Sequence, residues 1–110
     1  MGRFVKGDVV VLPFPFSDLT ANKKRPALVV VNLMGDDIIV CLITSQTVKD
    51  GYAISLSNSD FASGNLKQIS NIRPNRVFTA DSKIVLYKIG TLERKKIEEV
   101  TERIVEIFSQ

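Results

Sequence analysis

Apolar residues in this chain fall into short runs separated by polar, glycine-containing turns. The two clearest runs, residues 27–31 and 38–43, are rich in β-branched side chains and flank the turn residues 35–37. This is the pattern of a two-strand hairpin. Arg25 then opens the first strand and Thr44 closes the second. Because the start of one antiparallel strand lies beside the end of the next, we expect both side chains at one edge of the sheet.

Further short strands are predicted on both sides of this hairpin, at residues 8–12, 52–56, 66–72, 76–80 and 84–89. Pro13 and Pro15 are expected to end the first strand, so that residues 13–25 form a loop. Gly90 is expected to end the last strand, and Thr91 to cap a helix. The apolar face of that helix recurs at helical spacing and consists of Ile97, Val100, Ile104, Ile107 and Phe108.

Six or seven short strands and one terminal helix, without βαβ alternation, predict an α+β fold. The expected architecture is a small, partly open antiparallel β-barrel with a C-terminal α-helix. A length of 110 residues suits one domain spanning residues 1–110.

Composition narrows the possible chemistry. The chain has no histidine, and its one cysteine, Cys41, lies inside an apolar run, where a small buried hydrophobe is expected rather than a nucleophile. A His-based triad, a His-pair ribonuclease mechanism and a zinc site built on His or Cys are therefore excluded. The net charge of +3 permits a polyanionic partner without demanding one.

The N-terminal residues 1–8 lack the long apolar segment of a secretory leader, and no apolar run reaches the roughly 18 residues of a membrane span. We expect a soluble, cytoplasmic protein in a reducing setting, with no membrane partner.

The predicted loop after the first strand combines Phe14 and Phe16 with Lys23 and Lys24. Two readings stay open. The phenylalanines either plug one end of the barrel, or they stack on unpaired bases whose phosphates the neighbouring cations hold.

Several segments in this order resemble the MazF/PemK-like toxins of bacterial toxin–antitoxin pairs, in the branch with a PFPF-type segment. The resemblance covers nearly the whole chain. The matching segments are GDVVVLPFPFSDL, KKRPALVVV, CLITSQ, SGNLKQISNIRPNRVFTAD and KIGTL.

The resemblance implies an SH3-like barrel and a sequence-selective, metal-independent endoribonuclease that needs no cofactor. It also implies a homodimer, inhibition by a cognate antitoxin, and DNA contact only through the antitoxin complex. By position, the catalytic residues are Arg25 and Thr44. The substrate-binding set is then Phe14, Phe16, Lys23, Lys24, Ser45, Gln46, Gln68, Ser70 and Arg73. The arrangement of Ser70, Asn71 and Arg73 departs from the best-known branch, so base preference does not carry over.

The chemistry of the two catalytic candidates fits RNA cleavage by the 2′-OH of the substrate. A guanidinium binds two phosphate oxygens and stabilises the extra negative charge of the transition state, which suits Arg25. Thr44 is expected to donate to the same phosphate. The alternatives without a catalytic role are a surface ion pair for Arg25 and an ordinary strand-end hydroxyl for Thr44. Two other functions stay open: a gyrase-poisoning toxin that acts through its helix end, and a nuclease-dead module that binds RNA or antitoxin.

Overall fold

A computed structural model describes residues 4–14 and 23–110 of the chain. These residues form seven β-strands and a C-terminal α-helix, α1 (Arg94–Phe108). Two short 3-10 turns lie at Asn58–Asp60 and Ser82–Ile84. The strands are β1 (Asp8–Phe14), β2 (Lys23–Asn32), β3 (Asp37–Thr44), β4 (Ile54–Leu56), β5 (Phe61–Gly64), β6 (Ser70–Asp81) and β7 (Tyr87–Leu92).

The strands make one antiparallel sheet in the order β4-β6-β3-β2-β1-β7-β5. Its pairing shifts register between Val9 and Val10, between Val29 and Val31, and between Cys41 and Leu42. Such irregularities bend a strand and increase its twist, so the sheet curls into a half-barrel. The predicted α+β fold, a partly open antiparallel barrel with a C-terminal helix, is confirmed.

Alternation along the central strands gives the sheet two apolar faces. Val9 and Leu28 belong to the cluster beneath the helix, while their neighbours Val10 and Val29 belong to a cluster on the opposite face. This explains why the strands read as continuous apolar runs. Cys41 is fully buried in the helix-side cluster, and burial raises its pKa to about 12. The thiol therefore behaves as a small core side chain.

The helix packs on the sheet as its apolar spacing predicts, but only over its first three turns. Val100 is fully buried, and Ile97 and Ile104 contact the same cluster. Phe108 was predicted on the same face, yet 73% of it is exposed because the helix runs past the cluster. The described part of the chain contains no helix long and apolar enough to cross a bilayer.

The prediction that Pro13 ends the first strand is wrong. Strand β1 continues to Phe14, and Pro13 pairs with Lys24 in β2. The other neighbour, β7, pairs with β1 only as far as Val11. Pro13 therefore sits where β1 has one partner, and a missing N–H is tolerated at such an edge. Because β1 and β2 stay paired as far as Phe14 and Lys23, the residues from Lys23 onward belong to a strand and not to the predicted loop.

The two strands predicted at 66–72 and 76–80 are one strand, β6, that runs through Pro74. Its pairing with β3 jumps from Arg73 opposite Leu42 to Val77 opposite Cys41. The residues between them bulge out of the ladder, which is where a sheet accepts proline.

The last strand lies three residues later than predicted, and Gly90 is inside it. A Cβ on Gly90 would meet the backbone of Ser63 and Gly64 in β5, so the glycine allows two strands to approach closely instead of ending one. Thr91 also does not cap the helix, which has Glu93 at that position. The Thr91 hydroxyl instead donates to the buried carboxylate of Asp8, 3.0 Å away.

Candidate functional site

Arg25 and Thr44 lie next to each other at one end of the sheet. The β2–β3 ladder ends with Ala27 opposite Leu42, and continuing both strands by two residues at that register brings Arg25 beside Thr44; both residues line one groove. Opposite residues share a face of a sheet, so the two side chains are neighbours. The structure thus brings together the guanidinium and the hydroxyl that the sequence singled out; their catalytic role stays a prediction.

A groove of about 540 Å³ runs across this end of the sheet. Three consecutive residues of β2, 24–26, and the consecutive residues 43–45 at the end of β3 line it. Consecutive residues alternate between the faces of a strand, so the groove crosses the strand ends. Its lining consists of Val11, Lys24, Arg25, Pro26, Ile43, Thr44, Ser45, Asn65, Leu66, Lys67, Gln68, Ser70, Tyr87 and Ile89.

Part of the lining is an apolar row that crosses four strands. Val11 of β1 pairs with Tyr87 of β7 on one side and with Pro26 of β2 on the other. Ile43 follows Leu42, where the β2–β3 ladder ends, and lines the groove together with Pro26. This row, the apolar floor, ends in an aromatic ring that is 57% exposed.

The charge of the groove is one-sided. Lys24, Arg25 and Lys67 line it, and no carboxylate of the described residues does. The ion pairs between described residues also leave these three cations out. Cations that carry no internal counter-charge raise the local concentration of anionic ligands, so this end of the sheet suits a polyanion.

The Thr44 hydroxyl has a defined orientation. Thr44 is 9% exposed, and its Oγ1 accepts a hydrogen bond from the backbone N–H of Gln46 at 3.2 Å. The carbonyl of Gln46 in turn accepts from Asn71 Nδ2, also at 3.2 Å. With one lone pair engaged, the hydroxyl keeps its hydrogen for an acceptor in the groove.

The segment between β5 and β6 supplies the opposite wall, through residues 65–68 and Ser70. The backbone N–H of Leu66 donates to Asn58 Oδ1 at 2.8 Å, and the Ser70 hydroxyl donates to the Gln68 carbonyl at 3.1 Å. Ser70 is nearly buried, so its hydroxyl shapes this wall, while the exposed side chain of Gln68 is available to a ligand.

Three of the predicted substrate-binding residues do not line the groove: Lys23, Gln46 and Arg73. Arg73 Nη2 lies 2.8 Å from Asp50 Oδ2, and this hydrogen bond holds the pKa of Asp50 below its usual value. Of the two predicted aromatic contacts, Phe16 and the side chain of Phe14 lie outside the described residues.

A family model for the PemK-like, MazF-like toxins of type II toxin–antitoxin systems matches residues 5–108. The chain belongs to this toxin family. The resemblance to the family is thereby confirmed, and the PFPF-type branch stays a prediction. None of the curated proteins compared with this MazF-like toxin matches it significantly.

Solved structures share the fold of this MazF-like toxin at low sequence identity. An endoribonuclease from a mycobacterial species, in complex with its cognate antitoxin, has a TM-score of 0.76 at 11% identity over 96% of this chain and 95% of its own. MazF from Deinococcus radiodurans has a TM-score of 0.75 at 17% identity over 97% of both chains. The Mycobacterium tuberculosis toxin MazF-mt6 has a TM-score of 0.72 at 17% identity over 93% and 96%. At such identities the likeness shows the fold.

Sequence reasoning missed several residues that line the groove of this MazF-like toxin, chiefly Asn65, Lys67 and Tyr87. Tyr87 carried no usable signal, because its same-face neighbours in the predicted strand, Val85 and Ile89, are apolar and favour burial of the ring. Asn65 and Lys67 carried none, since their position depends on how the segment after β5 folds back over the strand ends.

Proposed function

We propose that this MazF-like toxin is an endoribonuclease that cleaves single-stranded RNA at the groove between Arg25 and Thr44. The observation that supports this is a cationic groove lined by both Arg25 and the oriented Thr44 hydroxyl, with no carboxylate among the described lining residues. Such a groove draws in a polynucleotide and presents two donors to a single phosphate.

The reaction proposed is attack of a ribose 2′-OH on its own 3′-phosphate. The new P–O2′ bond forms as the P–O5′ bond breaks, the 2′-OH loses its proton, and the leaving O5′ gains one. The products are a 2′,3′-cyclic phosphate and a 5′-OH end. No metal ion takes part in this scheme.

Arg25 stabilises the charge that accumulates on the phosphoryl oxygens, and Thr44 donates its hydroxyl hydrogen to one of them. No carboxylate of the described residues lines the groove, and the chain has no imidazole. A guanidinium holds its proton too tightly to act as a general base. The rate enhancement therefore comes mainly from alignment and electrostatic stabilisation, and alignment alone is worth up to about 7–11 kcal/mol.

Selection of the RNA sequence is assigned to the side chains around this pair. Tyr87 offers an exposed ring at the end of the apolar floor, which suits stacking with an unpaired base. Lys24 and Lys67 hold flanking phosphates, and the exposed side chains of Ser45 and Gln68 reach base edges.

The toxin is further proposed to act in the cytoplasm as a homodimer and to be inhibited by a cognate antitoxin. The solved relative in complex with its antitoxin supports an antitoxin partner. A carboxylate-rich, partly disordered antitoxin segment would pair with Lys24 and Arg25 and so compete with RNA. Inhibition by such a segment weakens as salt rises.

Incubation of the purified protein with single-stranded RNAs of varied sequence in EDTA tests the proposal. We expect cuts with 2′,3′-cyclic phosphate and 5′-OH ends, and none when the ribose before the cut is a 2′-deoxyribose. Intact RNA across a broad set of sequences, with folding verified, would contradict it.

One observation favours a second function, a toxin that binds gyrase through its helix end. Phe108 and Val105 expose 73% and 58% of their surfaces at the end of α1. If this function is the real one, Phe108→Ala abolishes growth inhibition while Arg25→Ala leaves it intact. The nuclease proposal expects the reverse.

A further inference from the structure

The loop of residues 45–53 joins β3 to β4 and contains no helix or strand. It leaves the groove at Ser45 and returns to the sheet at Ile54. Side chains from other elements hold it in place: three from β6, and Arg103 of the helix, whose Nη1 donates to the carbonyl of Tyr52 at 2.9 Å.

The three β6 side chains are Asn71, Arg73 and Asn75, which alternate with buried residues and so share one face of the strand. Asn71 Nδ2 donates to the carbonyl of Gln46 at 3.2 Å. Arg73 Nη2 and Asn75 Nδ2 both donate to Asp50 Oδ2, at 2.8 and 3.2 Å. These three residues are the β6 clamp.

The carboxylate of Asp50 links these β6 donors to the backbone of the loop. The second oxygen of Asp50, Oδ1, accepts the backbone N–H of Tyr52 at 3.0 Å, so the carboxylate joins the clamp to the loop backbone. Arg73 is also the main cause of the lowered pKa of Asp50. Asp50 therefore stays ionised, and the pair stays formed, well below neutral pH.

We propose that the β6 clamp positions the Thr44 hydroxyl for its part in RNA cleavage. Asn71 fixes the carbonyl of Gln46, and the N–H of Gln46 occupies the acceptor side of Thr44 Oγ1. Asn71 is also directly opposite Thr44 in the β3–β6 ladder. Arg73 and Asn75 anchor the loop four residues further on. In this role Asn71, Arg73 and Asn75 are positioning residues that do not touch RNA.

The catalytic consequence rests on the proposed function, so the test has two separate readouts. The first is hydrogen exchange of the Gln46 and Tyr52 amides, which needs no RNA. The second is kcat and KM for an RNA oligonucleotide that the wild-type protein cuts. The variants are Asn71→Leu, which is close in shape to Asn and removes the donor without adding charge, and Asp50→Ala in the exposed loop. The matched control is Asp36→Asn, which breaks an ion pair with Lys83 at the far end of the sheet.

We expect Asn71→Leu to speed exchange at Gln46 and to lower kcat by about tenfold, with KM changed less than about twofold, because small misplacements of a reacting group slow chemistry more than binding. Asp50→Ala should speed exchange at Tyr52 and lower kcat by a smaller factor. Asp36→Asn should change neither readout.

Unchanged exchange in both variants would overturn the clamp. Faster exchange with unchanged kcat would mean that the β6 clamp only stabilises the loop, and it would overturn the proposed positioning of Thr44. If the wild-type protein cuts no RNA, the proposed function fails, while exchange still decides whether the clamp holds the loop. If Asn71→Leu does not fold, Asp50→Ala decides alone.

Discussion

The β2–β3 hairpin ends in two different ways. At its turn, Gly35 adopts a left-handed backbone with φ of +74°, the carbonyl of Asp36 accepts from Ser82 N–H at 2.7 Å, and the Asp36 carboxylate lies 3.3 Å from Lys83 Nζ. At the other end, Lys24 and Arg25 line the groove without a lining carboxylate among the described residues. At the turn end the polar and charged groups of Asp36 pair within the protein. At the groove end the two cations have no lining counter-charge among the described residues and are open to an anionic ligand.

Exposed apolar surface does not separate the two ends. Met34 at the turn is 95% exposed, and Tyr87 at the groove is 57% exposed. The difference lies in an oriented hydroxyl and in cations that have no counter-charge among the described residues, and both support the proposal that the groove end is the functional one. Substitutions at the groove end should therefore change activity, while matched substitutions elsewhere should not.

The largest effect is expected for Arg25→Ala. Loss of one donor that stabilises transition-state charge typically costs about 2.7–4 kcal/mol, so cleavage should fall by two orders of magnitude or more. The measurement is kcat/KM on a defined RNA oligonucleotide. Arg94→Ala is the control, because it removes the same charge from a solvent-exposed side chain on the helix. Equal losses in both variants would mean that net charge, and not the Arg25 position, controls activity.

Thr44→Val tests the second donor and should reduce cleavage by about two orders of magnitude. The substitution keeps the shape but removes the hydroxyl, and it also removes the acceptor of the Gln46 N–H, which costs about 1 kcal/mol of stability. Thr79→Val, at an exposed position of the same sheet, is the control.

Reaction of Cys41 with a thiol reagent monitors folding, because the buried thiol with its pKa near 12 should react only in unfolded molecules. A Thr44→Val protein that reacts rapidly is unfolded, and its lost activity is uninformative.

Two glycines extend the comparison to stability. Gly64 and Gly35 both have positive φ, +81° and +74°. An added Cβ at Gly35 meets nothing within 4 Å, whereas at Gly64 it meets the backbone of Ile89 and Gly90. Gly35→Ala should cost about 1–2 kcal/mol for the left-handed backbone alone. Gly64→Ala should cost about 1–3 kcal/mol more, because β5 and β7 must separate.

Urea denaturation of the two glycine variants measures this difference. Because β5 leads into the groove wall at residues 65–68, Gly64→Ala should also lower cleavage at urea concentrations where the protein is folded. Equal stabilities would show that the close approach of β5 and β7 is not a constraint.

The sequence predicted the parts of this structure that depend on local pattern. The apolar runs predicted the two strands of the hairpin, and antiparallel pairing alone placed Arg25 and Thr44 at one edge of the sheet. The helix was predicted correctly because the spacing of its apolar residues is also a local pattern. Single strong residues misled the prediction, because Pro13, Pro74 and Gly90 were read as strand ends. Each lies inside a strand where a missing neighbour, a bulge or a close strand contact accepts it.

The groove was only half predictable. Its β2 and β3 wall follows from strand ends, but its second wall depends on long-range folding of the segment after β5. The role of Arg73 shows the same limit. A basic residue beside a proline predicts an RNA contact as readily as an ion pair, and only the position of Asp50, 23 residues away in sequence, distinguishes the two.

A smaller effect is expected for Tyr87→Ala, which should raise KM about tenfold with little change in kcat. Stacking of one base on an aromatic ring is worth about 1–3 kcal/mol and acts in binding more than in the chemical step. Tyr87→Phe keeps the ring and should behave like the wild-type protein. If Tyr87→Phe is as defective as Tyr87→Ala, the hydroxyl and not the ring contacts RNA.

The smallest effect concerns salt. RNA binding should weaken as salt rises, and for single strands the slope of log K against log salt is about −0.7 for each phosphate contacted. Lys24→Ala should therefore make the slope less steep by about 0.7, because one phosphate contact is lost. Lys83→Ala removes the same charge at the turn end, where Asp36 already neutralises it, and should leave the slope unchanged. Fluorescence anisotropy of a labelled, 2′-deoxy-blocked oligonucleotide across a salt series measures both slopes. If Lys83→Ala changes the slope as much as Lys24→Ala, RNA responds to the overall positive charge, and the contrast between the two ends of the hairpin does not govern binding.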